Sequence, residues 1–347
     1  MEKVVVGLSG GIDSFVTALL LQQQGYEVIG VNLSLWGENE LSEVEHLCEK
    51  LNIPLLCKDG HELFTKAVVQ PFMKAYLNGF TPSPCCTCNR YVKWKLLQEV
   101  ADEQQAKHIA TGHYVRICCI SEKYYIRQGV DSSKDQSYFL WGVPQDILSR
   151  ALTPLGSYTK AEVRAWAVRN GYARMVARRE SMGICFLQGS DYRDFILQYT
   201  GSPQTRGEIV DRAGNLIGEH SGLLNYTVGQ KRGMPVVGGQ SLYVAAMDAE
   251  HNRIVGDVKA GLYSDTLWVE QAEAADWQDL DASDVKVRVR GLGLNPQGFV
   301  RIEKLPDNNL LVQLSDPAWA VAPGQPVTFY RGDVVVGGGW LKAGKIK

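Results

Sequence analysis

No run in this 347-residue chain approaches the ~20 consecutive apolar residues of a membrane-spanning helix, so no membrane partner is expected. Neither sign of charge dominates: 36 Lys and Arg stand against 38 Asp and Glu, a formal net charge of −2. That balance excludes a polycation holding nucleic acid by bulk charge, and if the chain binds nucleic acid it must do so through local basic patches. There is no charged-then-apolar leader, because the chain opens directly into a strand pattern. The expected location is cytoplasmic. Eight cysteines without a leader do not suggest a disulfide scaffold. They are expected as core residues, metal ligands or redox groups. The sequence shows no internal repeat and no low-complexity segment.

What is present is concentrated near the start. Val4, Val5 and Val6 read as a buried strand, Gly7 and Leu8 follow, and Ser9-Gly10-Gly11-Ile12-Asp13-Ser14 reads as a turn. A helical pattern begins at once and runs to Gln24. Strand, glycine turn and helix aim backbone N–H groups and a helix N-terminus at a phosphate. Glycine lets the backbone approach an anion closely. The Walker pattern places a lysine after its last glycine, and this loop has none.

Strands and helices alternate to about residue 150, which predicts an α/β fold with a doubly wound parallel sheet. The expected strands are Val4–Gly7, Tyr26–Leu33, Pro54–Lys58 and His108–Thr111; the expected helices are 13–24, 41–52, Glu62–Leu77 and Asn89–Gln105. In such sheets the ligand sits beyond the carboxyl ends of the strands. Thr159 and Glu162 form a capping box for a helix over 159–171, with Gly171 at its end. Beyond residue 203 short strands alternate with Gly and Asn turns, and from 264 the pattern is all β, as in a small barrel. The expected domains are 1–202, 203–263 and 264–347, the second small and β-rich.

The second informative stretch is Thr81-Pro82-Ser83-Pro84-Cys85-Cys86-Thr87-Cys88-Asn89-Arg90. Cys88 is expected at a helix start beside Arg90 and Lys93, where a thiol is largely thiolate and suits a nucleophile. Cys85 and Cys88 form a C-x-x-C pair that can chelate zinc or an iron–sulfur cluster, or form a redox disulfide. Cys185 stands alone in Gly-Ile-Cys-Phe. Cys48, Cys57, Cys118 and Cys119 are expected to pack.

Together these stretches resemble the bacterial tRNA-specific 2-thiouridylase family of PP-loop ATP pyrophosphatases. The landmarks occur in order: Ser-Gly-Gly-x-Asp-Ser at 9–14, Thr-Pro-x-Pro-x-x-x-Cys-Asn at 81–89, Ala-Thr-Gly-His-Tyr at 110–114 and Lys-Asp-Gln-Ser-Tyr-Phe-Leu at 134–140. Gly-Ile-Cys-Phe at 183–186, Tyr-Thr-x-Gly-Gln-x-x-Gly at 226–233 and Pro-Gly-Gln at 323–325 follow, with a glycine run at 337–339. The resemblance implies an adenine nucleotide hydrolase-like N-terminal domain. It implies a transferase that uses ATP and Mg²⁺ to adenylate O2 of a tRNA wobble uridine and then replaces AMP by sulfur. The isoacceptors implied are those for Lys, Glu and Gln. By the same resemblance Gly7, Leu8, Ser9, Gly10, Gly11, Ile12, Asp13 and Ser14 hold the nucleotide, with Leu33 and Gly112 at the adenosine. Cys185 carries a persulfide from a donor protein, and Cys88 is its partner in a disulfide that must be reduced. Ser83, Pro84, Cys85, His113, Lys134, Asp135, Gln136, Arg288, Arg290 and Gln325 face tRNA. Lys231 and Arg232 form a basic turn suited to phosphate, and Arg178 and Arg179 are placed to steer RNA. One departure is that Cys85 stands where many members carry an aspartate. Cys85, Cys88 and Cys185 then also match the set of cluster-dependent tRNA thiolases, so a [4Fe–4S] route stays open beside the persulfide route. A small-molecule adenylating ligase on the same loop is the more distant alternative.

Overall fold

The computed structural model describes residues 1–37, 41–176, 183–201, 204–291 and 293–342. They form two compact units, one of Met1–Val68, Cys85–Met182 and Asp333–Val336, the other of Val69–Pro84, Gly183–Gly332 and Gly337–Lys347.

The first unit is built on a five-stranded parallel sheet. Its strands are β1 (Lys3–Gly7), β2 (Glu27–Ser34), β3 (Leu55–Asp59), β4 (His108–Ala110) and, after the hairpin β5 (Val115–Ile120) and β6 (Lys123–Gln128), β7 (Ala151–Leu152). The order is β3-β2-β1-β4-β7. Val4 pairs with Val28 on one side and His108 on the other, which puts β1 in the middle. Val4, Val5 and Val6 are wholly buried. A strand covered on both faces reads as a continuous apolar run, as this one does. On one face α1 (Ile12–Gln23), α2 (Leu41–Leu51) and the helix Lys160–Arg169 pack through Phe15, Leu21, Val44, Leu51, Val163 and Ala167. Trp94–Glu103 packs through Leu97 against Gly7. Helices thus wind the sheet on both faces, as the sequence pattern predicts. The capping box at Thr159 and Glu162 is present, and the chain leaves that helix through Asn170 and Gly171.

Three local expectations change. The helix expected from Asn89 starts at Pro84: Pro84–Cys88 is α-helical, Asn89–Lys93 is wound as a π-helix, and the α-helix resumes at Trp94. Proline is pre-set for the first helical position and begins the helix one turn early. Cys88 therefore lies inside the run and is 8% exposed, so the helix-start argument for its thiolate does not hold. Cys57 is exposed rather than packed, because β3 is the edge strand. Cys119 is exposed near the tip of the β5–β6 hairpin, while Cys118 is half-buried and Cys48 buried.

In the second unit β8 (Gly207–Val210), β9 (Leu216–His220), β10 (Val236–Val237), β11 (Gln240–Asp248) and β12 (Arg253–Val258) form one sheet in the order β10-β11-β12-β8-β9. Ile209, Tyr226, Val244 and Ile254 fill its core. A second sheet contains β13 (Tyr263–Ala274), β14 (Val285–Arg288), β15 (Val300–Leu305), β16 (Asn309–Trp319), β17 (Pro326–Arg331) and β18 (Val334–Leu341). The order is β14-β17-β18-β13-β16-β15, and a bridge from Lys286 to Phe299 brings the first strand back beside the last. Closure makes a barrel, with Leu267, Val269, Val285, Val287, Leu310 and Val312 alternating inward.

Candidate active site

The loop Ser9–Ser14 stands at the carboxyl end of β1, where an open parallel sheet receives its ligand. Gly10 takes φ +77°, a left-handed conformation that favours glycine. Gly11 precedes α1 in extended conformation and gives it no side-chain cap. An uncapped first turn leaves N–H groups for an anion. The Ser14 hydroxyl shapes the loop by donating to the Gly11 carbonyl at 3.0 Å and accepting from the Ser9 N–H at 3.2 Å. Asn32 on β2 donates to the Leu8 carbonyl at 3.0 Å and fixes the loop's entry. Leu33 is the next residue on β2, paired with Lys58.

Asp13 lies in the first turn of α1. The Lys160 ammonium donates to both its carboxylate oxygens at 2.8 Å, and the Tyr114 hydroxyl donates to one at 2.7 Å. Lys160 is 7% exposed, and its ammonium lies 5.7 Å from the Tyr114 ring centroid. The sequence pattern assigns neither residue a role. The available signal for Lys160 was its place at the first helical position, where the helix dipole disfavours a cation. Gly112 packs against the same turn: a Cβ there would stand 2.9 Å from the Asp13 carbonyl carbon and 3.0 Å from the Ser14 nitrogen.

The segment after β4 is held from within. Gln136 accepts the Tyr114 N–H at 2.9 Å. Asp135 accepts from the Ser137 hydroxyl at 2.8 Å and from the Gly129 N–H at 3.1 Å. Lys134 is half-buried beside them. His113 is buried, 2.8 Å from the Thr111 hydroxyl, with its ring stacked on Trp94. Burial, and then the positive charge of Lys93, hold its imidazole well below the ordinary histidine range, so it is neutral.

Of the thiols in the first unit, Cys85 is exposed, and Cys86 is buried with its sulfur 3.8 Å from the Tyr138 carbonyl. Cys185 belongs to the second unit and is exposed at the head of the short turn Cys185–Leu187. Phe186 anchors that turn against Phe72, ring centroids 5.0 Å apart.

Residues 2–189 match the family model described as the tRNA methyl transferase HUP domain. Residues 193–256 match the tRNA methyl transferase PRC-barrel domain and 262–341 the aminomethyltransferase β-barrel domain. Over 350 aligned residues the chain is 41% identical to tRNA-specific 2-thiouridylase MnmA 2 of Phocaeicola vulgatus, covering 97% of each chain. This chain belongs to the tRNA-specific 2-thiouridylase family. It is also similar to the MnmA proteins of Amoebophilus asiaticus (36% identical, 98% of this chain and 95% of the relative) and Lachnoclostridium phytofermentans (37%, 98% and 99%).

The remaining described candidate residues of this thiouridylase-family chain are in the second unit. Ser83 and Pro84 are buried. Gln325 donates to the Thr81 carbonyl at 2.7 Å, so its amide steadies the strand-like approach to them. Arg290 donates to the Trp319 and Ala320 carbonyls at 2.5 and 3.0 Å. Arg288 lies over the Tyr330 ring. Lys231 and Arg232 are exposed in a turn held by Gln230. Arg178 and Arg179 lie outside the described residues. Among the described residues, no group of three His, Cys, Asp or Glu side chains is gathered to hold a metal ion.

Proposed function

We propose that the protein is an ATP-dependent tRNA-uridine 2-sulfurtransferase. The observation that carries this reading is the uncapped Ser-Gly-Gly-Ile-Asp-Ser loop at the carboxyl end of β1, in a chain that aligns end to end with tRNA-specific 2-thiouridylases. In this reading Gly7–Ser14 cradle the triphosphate, Leu33 and Gly112 border the adenosine, and the partly exposed Asp13 carboxylate is the candidate Mg²⁺ ligand. Bound Mg²⁺ would neutralise phosphate charge. The uridine O2 attacks the α-phosphorus, the bond to the β-phosphate oxygen breaks, and pyrophosphate leaves. The C2–O bond now ends in AMP, a far better leaving group than oxide.

Sulfur arrives as a persulfide on Cys185, delivered by a donor protein. Its terminal sulfur attacks C2 and AMP departs. The Cys88 thiolate then attacks the Cys185 sulfur, the S–S bond to the transferred sulfur breaks, and 2-thiouridine and a Cys88–Cys185 disulfide remain. A thiol reductant restores both cysteines. Exposure suits Cys185 to meet a donor. A [4Fe–4S] route through Cys85, Cys88 and Cys185 is the alternative.

We assign residues 1–202 to adenylation, 203–263 to a central tRNA-contacting domain and 264–347 to the barrel. Lys134, Lys231, Arg232 and Arg288 supply cations to tRNA, and Ser83, Pro84, Cys85 and His113 border the target base. Asp135, Gln136, Arg290 and Gln325 serve tRNA binding by holding the loops of their own units. The substrates assigned are the Lys, Glu and Gln isoacceptors. The test uses Cys88→Ala and Cys185→Ala with ATP, a persulfide donor and unmodified tRNA. Both variants are expected to form no 2-thiouridine while retaining tRNA in a gel shift within a few-fold. Thiolation by either variant removes the nucleophile assignment, and stoichiometric iron in anaerobically purified protein moves the chemistry to a cluster.

A further inference from the structure

The nucleotide cradle lacks one thing that a triphosphate site needs. ATP brings several negative charges, and residues 4–24 contain no lysine or arginine to meet them. A backbone nest and a helix N-terminus supply partial charges only. A cation reaches the loop from 147 positions along the chain. Lys160 is buried, and its ammonium sits on the carboxylate of Asp13 inside the loop itself.

Several observations show that helix stability does not explain this lysine. It occupies the first position of Lys160–Arg169, where the helix dipole opposes a positive charge. The capping box at Thr159 and Glu162 already satisfies that terminus. Its own N–H donates to Asp131 at 2.9 Å, which pins the backbone and leaves only the four-carbon stem to move. The Asp13 carboxylate keeps a second donor, the Tyr114 hydroxyl, when the ammonium turns away.

We infer that Lys160 is the phosphate-binding cation of this site, stored on Asp13 and transferred to the β- and γ-phosphate oxygens when the nucleotide enters. This deepens the ATP-dependent reading above and rests on it. The lysine absent from the loop is thus supplied by a separate helix. It acts on the pyrophosphate end, so it should distinguish ATP from AMP.

The test is calorimetric titration of the full chain with Mg²⁺ and α,β-methylene-ATP, and separately with AMP, for wild type, Lys160→Met and Lys160→Arg. Wild type is expected to bind both. Lys160→Met should lose about 10- to 100-fold in affinity for the ATP analogue, the loss of one hydrogen bond between charged groups. Its AMP affinity should change less than about threefold, and Lys160→Arg should recover most of the loss. Unchanged analogue affinity in Lys160→Met overturns the inference, and so does an equal loss for AMP, which marks a structural role. If Lys160→Met does not fold, Lys160→Arg decides: full analogue affinity supports the inference, and a loss shared equally with AMP sinks it. Wild type that binds neither ligand defeats the nucleotide reading itself, a separate outcome.

Discussion

Replacing Gly112 by alanine adds one methyl group against the first turn of α1, beside the proposed nucleotide loop. The new Cβ would stand 2.9 Å from the Asp13 carbonyl carbon, 3.0 Å from the Ser14 nitrogen and 3.2 Å from the Asp13 Cβ. Two of those three atoms are backbone at the head of α1, and none is the far end of a side chain that can swing aside. Either the 111–114 segment or the first turn of α1 must shift by several tenths of an ångström. Overpacking of this kind costs about 1–3 kcal/mol. At about 2–4 °C per kcal/mol for a unit of this size, the melting temperature should fall by roughly 2–12 °C. The displaced atoms belong to Asp13 and Ser14, so the binding site should suffer as well. A ligand at 100 times its Kd stabilises by about 2.7 kcal/mol, and that increment should shrink in the variant. Thermal melts with and without Mg²⁺·ATP measure both quantities. Gly171→Ala is the control, since nothing lies within 4 Å of its Cβ and only its φ of +87° is strained. It should lower the melting temperature and leave the ATP increment intact. A Gly112→Ala protein with a wild-type melt and a full ATP increment would refute the packing argument.

Two further outcomes follow from burial. His113 is neutral in the fold but takes a proton near pH 6.5 when unfolded. The unfolded state therefore binds more protons below that pH. Its contribution to stability is complete above about pH 6.5 and is lost, by up to about 1.4 kcal/mol per pH unit, as pH falls toward the depressed folded value. Urea midpoints between pH 5 and 6.5 should show a shallower slope in His113→Gln; equal slopes would count against a buried neutral imidazole. Cys57, Cys85, Cys119 and Cys185 are exposed, whereas Cys48, Cys86 and Cys88 are buried. Burial, with a smaller contribution from Cys57, pushes the Cys48 thiol up to about 11. Brief alkylation followed by peptide mapping should label the four exposed cysteines first, and early labelling of Cys48 would contradict its placement.

The sheet was legible because its signal is repeated. Val4–Val6 is apolar at every position, and the segments leading to β2, β3 and β4 each follow a helical stretch. The barrel strands were legible from their alternation, as at Leu310, Val312 and Leu314. The β5–β6 hairpin was not delimited, because its turn at Ser121 and Glu122 uses positive φ without glycine, at 48° and 63°. The position of Cys57 was misread because an apolar strand pattern does not tell an edge from a centre. Pro84 opens the helix expected only from Asn89, because its fixed φ suits a first helical position as well as an extended one. Within the site, the loop itself was plain and its partners were not. Lys160 and Tyr114 reach Asp13 only through tertiary folding, across 147 and 101 positions.

The wide turn at Asn89–Lys93 has a consequence for how the Cys88 thiol is aimed. A π-turn carries one residue more than the α-helix around it needs. Each residue of an α-helix turns the chain by about 100°. Removing any single position between 89 and 93 would regularise the coil and swing the sulfur about a quarter-turn around the axis, away from its present heading relative to Trp94. The direction of the thiol is therefore written in the length of that segment more than in its side chains.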